Sequence, residues 1–219
     1  MMKKFTATIA IVLVVCLLTE TISGISELEN MTDKLIRLHV VANSDSDYDQ
    51  SLKLKVRDAV LECVSDLTQE AGADSKEEAE KVIVENYELI EAAASNTLRD
   101  SGCNLPVTVG YEKTLIDTRV YDDFTLPYGM YDTLCVRIGS ASGKNWWCVL
   151  FPALCVSGAV SIEESGVFDD GEIAIMKEPQ KVKYRLFLFE LFERVKCRLS
   201  GAKRLCLASA VFDLDGYLL

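Results

Sequence analysis

The hydrophobic period of this chain changes once, and that change fixes its fold class. Leu52, Val56, Ala59, Val60, Cys63 and Leu67 recur at helical spacing, as do Ala79, Val82, Ile83, Tyr87, Ile90, Ala94 and Leu98. From Val107 onward the period is two: Val107, Val109 and Tyr111 alternate with Thr108 and Gly110, and Tyr131 to Ile138 alternates likewise. Before both regions, Leu35-Ile36-Arg37-Leu38-His39-Val40-Val41-Ala42 is nearly continuous in apolar residues, the mark of a central strand. The order is one strand, two helices, three or four strands, then a helix. It predicts an α+β fold with a single mostly antiparallel sheet and helices packed on a face, in the order β-α-α-β-β-β-α.

Local signals place the boundaries. Asn43-Ser44-Asp45-Ser46-Asp47 offers caps for a first helix over Tyr48 to Thr68, with Lys53, Lys55, Arg57, Asp58 and Glu62 largely on its polar face. Ser75-Lys76-Glu77-Glu78 fits a capping box, and the second helix is expected to run on to Gly102. A strand over Leu115 to Phe124 is interrupted by Asp122-Asp123. Gly139 to Lys144 reads as a hairpin loop joining Tyr131–Ile138 to a returning strand, Asn145 to Phe151, which Pro152 ends. Val156 to Glu178 reads as an acidic, glycine-punctuated loop, and Tyr184 to Leu199 as a helix with a broad apolar surface. Residues 157–219 (the acidic loop, this helix and an apolar tail) are assigned to the same domain as the rest.

Both tryptophans of the chain stand side by side, in Asn145-Trp146-Trp147-Cys148-Val149-Leu150-Phe151-Pro152-Ala153-Leu154-Cys155. In a strand, neighbours point to opposite faces. One ring then fills the core and the other stands outside, where a large amphipathic ring favours a contact surface.

The amino terminus has the order of a secretory signal. Met1-Met2-Lys3-Lys4 is basic, Phe5 to Leu18 carries no charge, and Thr19 to Gly24 brings small and polar residues. The apolar run is shorter than the roughly 20 residues of a spanning helix. Residues 1–24 are therefore read as a signal peptide or an amino-terminal anchor, with the body outside the cytoplasm that made it. A net charge of −11 opposes nucleic acid and anionic lipid headgroups, leaving protein or a neutral or cationic ligand as the partner.

Candidate chemistry is sparse. There is one His and no CxxC, so no metal site or cofactor is expected. Asp45-Ser46-Asp47-Tyr48-Asp49 starts like a calcium loop, but Gln50 and Val56 stand where Gly and Glu are required. A nucleophile could be built from His39 with Cys148 or Cys155, oriented by Asp45 or Asn43. That is the alternative reading: a secreted Cys–His hydrolase acting on cell-wall or peptide substrates. Cys148 and Cys155 flank a strand end and Pro152, and either form a disulfide or stay as thiols.

Three segments resemble the stage II sporulation protein R family. The first is Leu35 to Ser46, continued by Asp49-Gln50, Leu52-Lys53 and Val56-Arg57-Asp58. The second is Leu126-Pro127-Tyr128-Gly129-Met130-Tyr131, and the third Gly143 to Cys155, with the resemblance spanning residues 30–156. It implies an exported forespore signal that activates a membrane-embedded aspartic protease of the mother cell. That protease processes the pro-sigma-E factor during endospore formation. It also implies a ligand and not an enzyme, located in the intermembrane space, secreted or membrane-anchored, and touching the membrane only through its amino-terminal segment. The expected partner-binding residues are Trp146 or Trp147, whichever faces outward, with His39, Asn43 and Asp45 as the neighbouring rim.

Overall fold

The computed structural model describes residues 26, 28–121, 123–154 and 161–178. The signal segment, Cys155 and the expected helix Tyr184 to Leu199 lie outside them. By internal packing the described residues fall into two units, one within 31–113 and 131–173, the other within 26–30, 114–130 and 174–178.

The first unit carries the main sheet. Helical residues 28–33 lead into the chain's first strand, β1 (Ile36–Val41), all six residues of which are buried. Helix α1 (Asp47–Ala71) follows. Ser46 caps it by accepting from the Asp49 amide at 3.2 Å, and Gly72 ends it in the left-handed conformation, φ 64°. Helix α2 (Lys76–Glu85) starts with the expected capping box, Ser75 and Glu78 serving each other's backbone. It does not run on to Gly102. Asn86, at φ −119° and ψ 26°, separates it from α3 (Tyr87–Asp100), and the Asn86 side-chain Nδ2 donates to the Val82 carbonyl at 2.7 Å. A side chain competing for the helical ladder breaks the helix without disturbing its apolar stripe.

Strands β2 (Val107–Ile116), β5 (Gly129–Ile138) and β6 (Asn145–Phe151) complete the sheet in the order β2-β5-β1-β6. β1 runs parallel to β5 and antiparallel to β6. Gly139 donates to the Pro106 carbonyl at one end of the β2–β5 pair and Lys113 meets Asp132 at the other, so these two strands are antiparallel. Two short strands, β3 (Arg119–Val120) and β4 (Thr125–Leu126), form a separate antiparallel pair.

The α+β class stands, but the single mostly antiparallel sheet is overturned. There are two sheets, and the larger one is mixed. Gly139 to Lys144 is not a hairpin loop, because β1 lies between β5 and β6. The cause is the composition of β1. A strand apolar on both faces is most stable at the centre of a sheet. The loop therefore passes over the end of β1 instead of turning tightly. The predicted Leu115–Phe124 strand also divides: Leu115 and Ile116 end β2, Arg119–Val120 form β3, and the polar positions Asp117 and Asp123 fall in the breaks before and after β3.

Helices α1, α2 and α3 cover one face of the main sheet. Ile36, Leu38, Val40, Leu134, Val136, Ile138, Cys148 and Leu150 form one apolar cluster with Leu52, Val56, Val60, Ile83, Ile90 and Leu98. The expected acidic loop over Val156 to Glu178 holds a helix, α4 (Asp170–Lys177). Asp169 accepts from the Glu172 amide while Glu172 accepts from the Asp169 amide, a reciprocal cap. The Glu172 carboxylate is buried and meets Lys34 at 2.6 Å.

Within the second unit, Tyr121 stacks on Phe124 with ring centroids 4.7 Å apart, and the Tyr121 amide donates to the Phe124 carbonyl. This closes the turn between β3 and β4.

Candidate functional site

Strand alternation places a second row of side chains on the sheet face turned away from α1, α2 and α3, the helix-free face. Pairing sets His39 beside Cys135 on one side and Trp147 on the other. The imidazole and indole stack with centroids 3.7 Å apart and planes 11° from parallel. His39 Nε2 lies 2.8 Å from Asn145 Oδ1, and Nδ1 lies 3.7 Å from Cys135 Sγ. Cys135 donates to Glu112 Oε1 at 3.1 Å, and Arg137 Nη2 donates to the same oxygen at 2.6 Å. Glu112, Cys135, His39 and Trp147 thus make one row across all four strands. Its inner members are buried, with His39 8% exposed, and Trp147 is half-buried.

Below this row the face is closed. Arg37 is buried, its Nε donating to the Cys148 carbonyl at 2.8 Å and its guanidinium lying 5.1 Å from the centre of the Tyr131 ring.

Trp146 points the other way. It packs against the helix-side cluster, and the Arg57 guanidinium sits 4.3 Å from its ring centre. Of the two candidates, Trp147 is the one on the helix-free face.

Asn43 and Asp45 do not reach that row. They clasp the 139–144 loop where it crosses the end of β1. Asn43 Oδ1 accepts from the Ser140 amide at 3.0 Å and its Nδ2 donates to Asp49 Oδ2 at 2.9 Å; Asp45 Oδ1 accepts from the Lys144 amide at 2.7 Å. A Cβ on Gly143 would run into the Ser44 carbonyl, so glycine is needed for this close approach. The hydroxyl of Ser44, and then Asn43, hold the Asp49 carboxyl below the ordinary carboxylate range. Lys53, placed on the solvent face by its periodicity, is instead buried beneath the loop, donating to Gln50 at 2.6 Å and to the Lys144 carbonyl at 3.2 Å. Burial pushes its amine down.

The hydrolase constellation is not assembled. Cys148 pairs across from Leu38 and belongs to the helix-side cluster, on the opposite face from His39. Asn43 and Asp45 are engaged at the loop. The thiol beside His39 is that of Cys135, which is fully buried. Cys148 is likewise buried, and its candidate disulfide partner Cys155 lies outside the described residues. Among the described residues no group of His, Cys, Asp or Glu is arranged to hold a metal ion, and no helix is long and apolar enough to cross a membrane.

His39 and Trp147, both expected contact residues, are brought together, and beside them stand Glu112, Cys135 and Arg137, which were not among the expected residues. Alternation puts each on a face; only the strand order brings them to His39.

This is an α+β protein whose distinctive feature is a polar and aromatic sheet face. The family model described as stage II sporulation protein R matches residues 32–161. Stage II sporulation protein R of Bacillus subtilis (strain 168) is 34% identical over 172 residues, covering 78% of this chain and 71% of the relative. No solved structure matches. The chain belongs to the stage II sporulation protein R family, and with it is a non-catalytic sporulation protein.

Proposed function

We propose that this chain is an exported signal from the forespore that switches on a membrane-embedded aspartic protease of the mother cell, leading to processing of pro-sigma-E. The observation that carries the reading is the family match over residues 32–161, which spans both strands of the His39–Trp147 stack. The basic start and apolar run at the amino terminus support export to the intermembrane space.

Activation without chemistry requires the ligand to prefer the active receptor. Moving a receptor from about 1% to about 99% active needs roughly 5.5 kcal/mol of differential binding. A central aromatic anchor contributes about 2 kcal/mol or more of binding energy. Trp147 is the proposed anchor and His39 its support. Trp146 holds the strand from the core side. Asn43 and Asp45 serve the interface by fixing the loop between β5 and β6, and so the position of the Trp strand.

Co-expression with the protease and the precursor in a non-sporulating host tests this. Cleavage is expected only when this chain is exported. Equal cleavage without it refutes the proposal.

A further inference from the structure

Among the described residues, the helix-free face is closed at one end and open at the other. Arg37, Thr133 and Val149 are buried, whereas Thr108 is exposed and Gly110, Glu112, Arg137 and Asn145 are partly so. Gly110 sits inside β2 with no left-handed backbone to require glycine. A Cβ there would meet nothing within 4 Å among the described residues. Glycine inside a strand weakens it and often marks a bulge, a tight bend or a place where another molecule approaches closely.

Next to this gap, two residues along the same face, lies Glu112. Both of its hydrogen bonds fall on Oε1. Oε2 has no partner among the described residues, and the side chain is 33% exposed. An ionised carboxylate accepts about four hydrogen bonds, so half of this one's capacity is open.

We propose that the open half of this face receives a lysine or arginine side chain of the partner protein, laid over Gly110 and donating to Glu112 Oε2. The assignment rests on the reading that this face meets the protease. A net charge of −11 favours approach of a basic partner segment over an acidic one. Glu112 and Trp147 stand at opposite ends of the row, about 14 Å apart over three inter-strand spacings. The basic contact and the aromatic anchor then fit within one footprint.

The test is binding of the full exported chain to the detergent-solubilised protease at low and high salt, with thermal unfolding as the control for folding. Gly110→Leu starts its side chain in open space and removes a strand-weakening glycine, so it should unfold at no lower temperature than wild type yet bind about tenfold or more weakly. Glu112→Gln should weaken binding about fivefold at low salt and flatten its salt dependence, with Arg137→Gln costing less. Wild-type binding by a folded Gly110→Leu protein overturns the proposal. So does a loss carried by Arg137→Gln and absent from Glu112→Gln, which would mean an acidic contact. If Trp147→Ala loses binding while Gly110→Leu and Glu112→Gln keep it, this inference falls and the proposed contact face stands. No binding by the wild-type chain sinks both.

Discussion

Replacing Asn43 with Ala should loosen the whole Trp strand from a distance. The side chain makes three bonds: it accepts from the Ser140 amide at 3.0 Å and the Ser140 hydroxyl at 3.2 Å, and donates to the Asp49 carboxylate at 2.9 Å. Two neutral bonds contribute about 1 kcal/mol each and one to a charged group about 1.5–3. The site is half-buried, so water replaces part of this, leaving a loss of about 2–4 kcal/mol. For a domain of this size that lowers the melting temperature by about 5–12 °C. Urea unfolding of the exported chain, followed by circular dichroism and tryptophan fluorescence, reads the change. A loss below about 0.5 kcal/mol would show that the loop stands without its clasp and refute the reasoning. Binding supplies a second readout. If Asn43 holds the Trp strand in place through the loop, the folded variant should also bind the protease more weakly than wild type does.

The two tryptophans should separate stability from signalling. Trp146→Ala removes an aromatic packed on the core and its Arg57 contact, and is expected to cost about 3–5 kcal/mol in urea unfolding; Trp147→Ala should cost distinctly less. Acid should expose the Asp49 bonds. Its folded pKa lies below the ordinary 3.8, so its contribution is present above that value and is lost as pH falls through the lower one; Asp49→Asn should flatten the stability profile on the acid side of about pH 4. Tyr111 works in the opposite direction. Burial, with the Asp132 charge second, raises its hydroxyl far above the ordinary 10.0, so the unfolded chain ionises first and stability falls as pH climbs past about 10. Tyr111→Phe should reduce that alkaline loss in a pH series of urea titrations.

Some of the fold was written locally. The unbroken apolar run from Leu35 to Ala42 does mark a central strand, and the Ser75–Glu78 cap does start a helix. Both depend only on neighbours in sequence. The break at Asn86 was hidden because the apolar stripe continues on both sides of it. The 139–144 loop was misread because its length and polarity suit a hairpin as well as a crossing. What decides is whether a third strand intervenes, and that depends on β1, a hundred residues earlier. Glu112 and Arg137 stayed invisible for the same reason. As alternating polar residues of two separate strands they look like ordinary solvent-facing positions until β2 and β5 pair. The helix α4 was legible in principle, since Asp169 and Glu172 have capping-box spacing. The surrounding glycines and acids concealed it.

In the proposed function, the helix-free sheet face, with Trp147 stacked on His39, delivers the signal by contact. The most direct measurement is precursor cleavage in the reconstituted host with Trp147→Ala in place of the wild-type chain, at matched levels of exported, folded protein. The account predicts that cleavage is lost although the variant still melts cooperatively. Wild-type cleavage by that variant would contradict it.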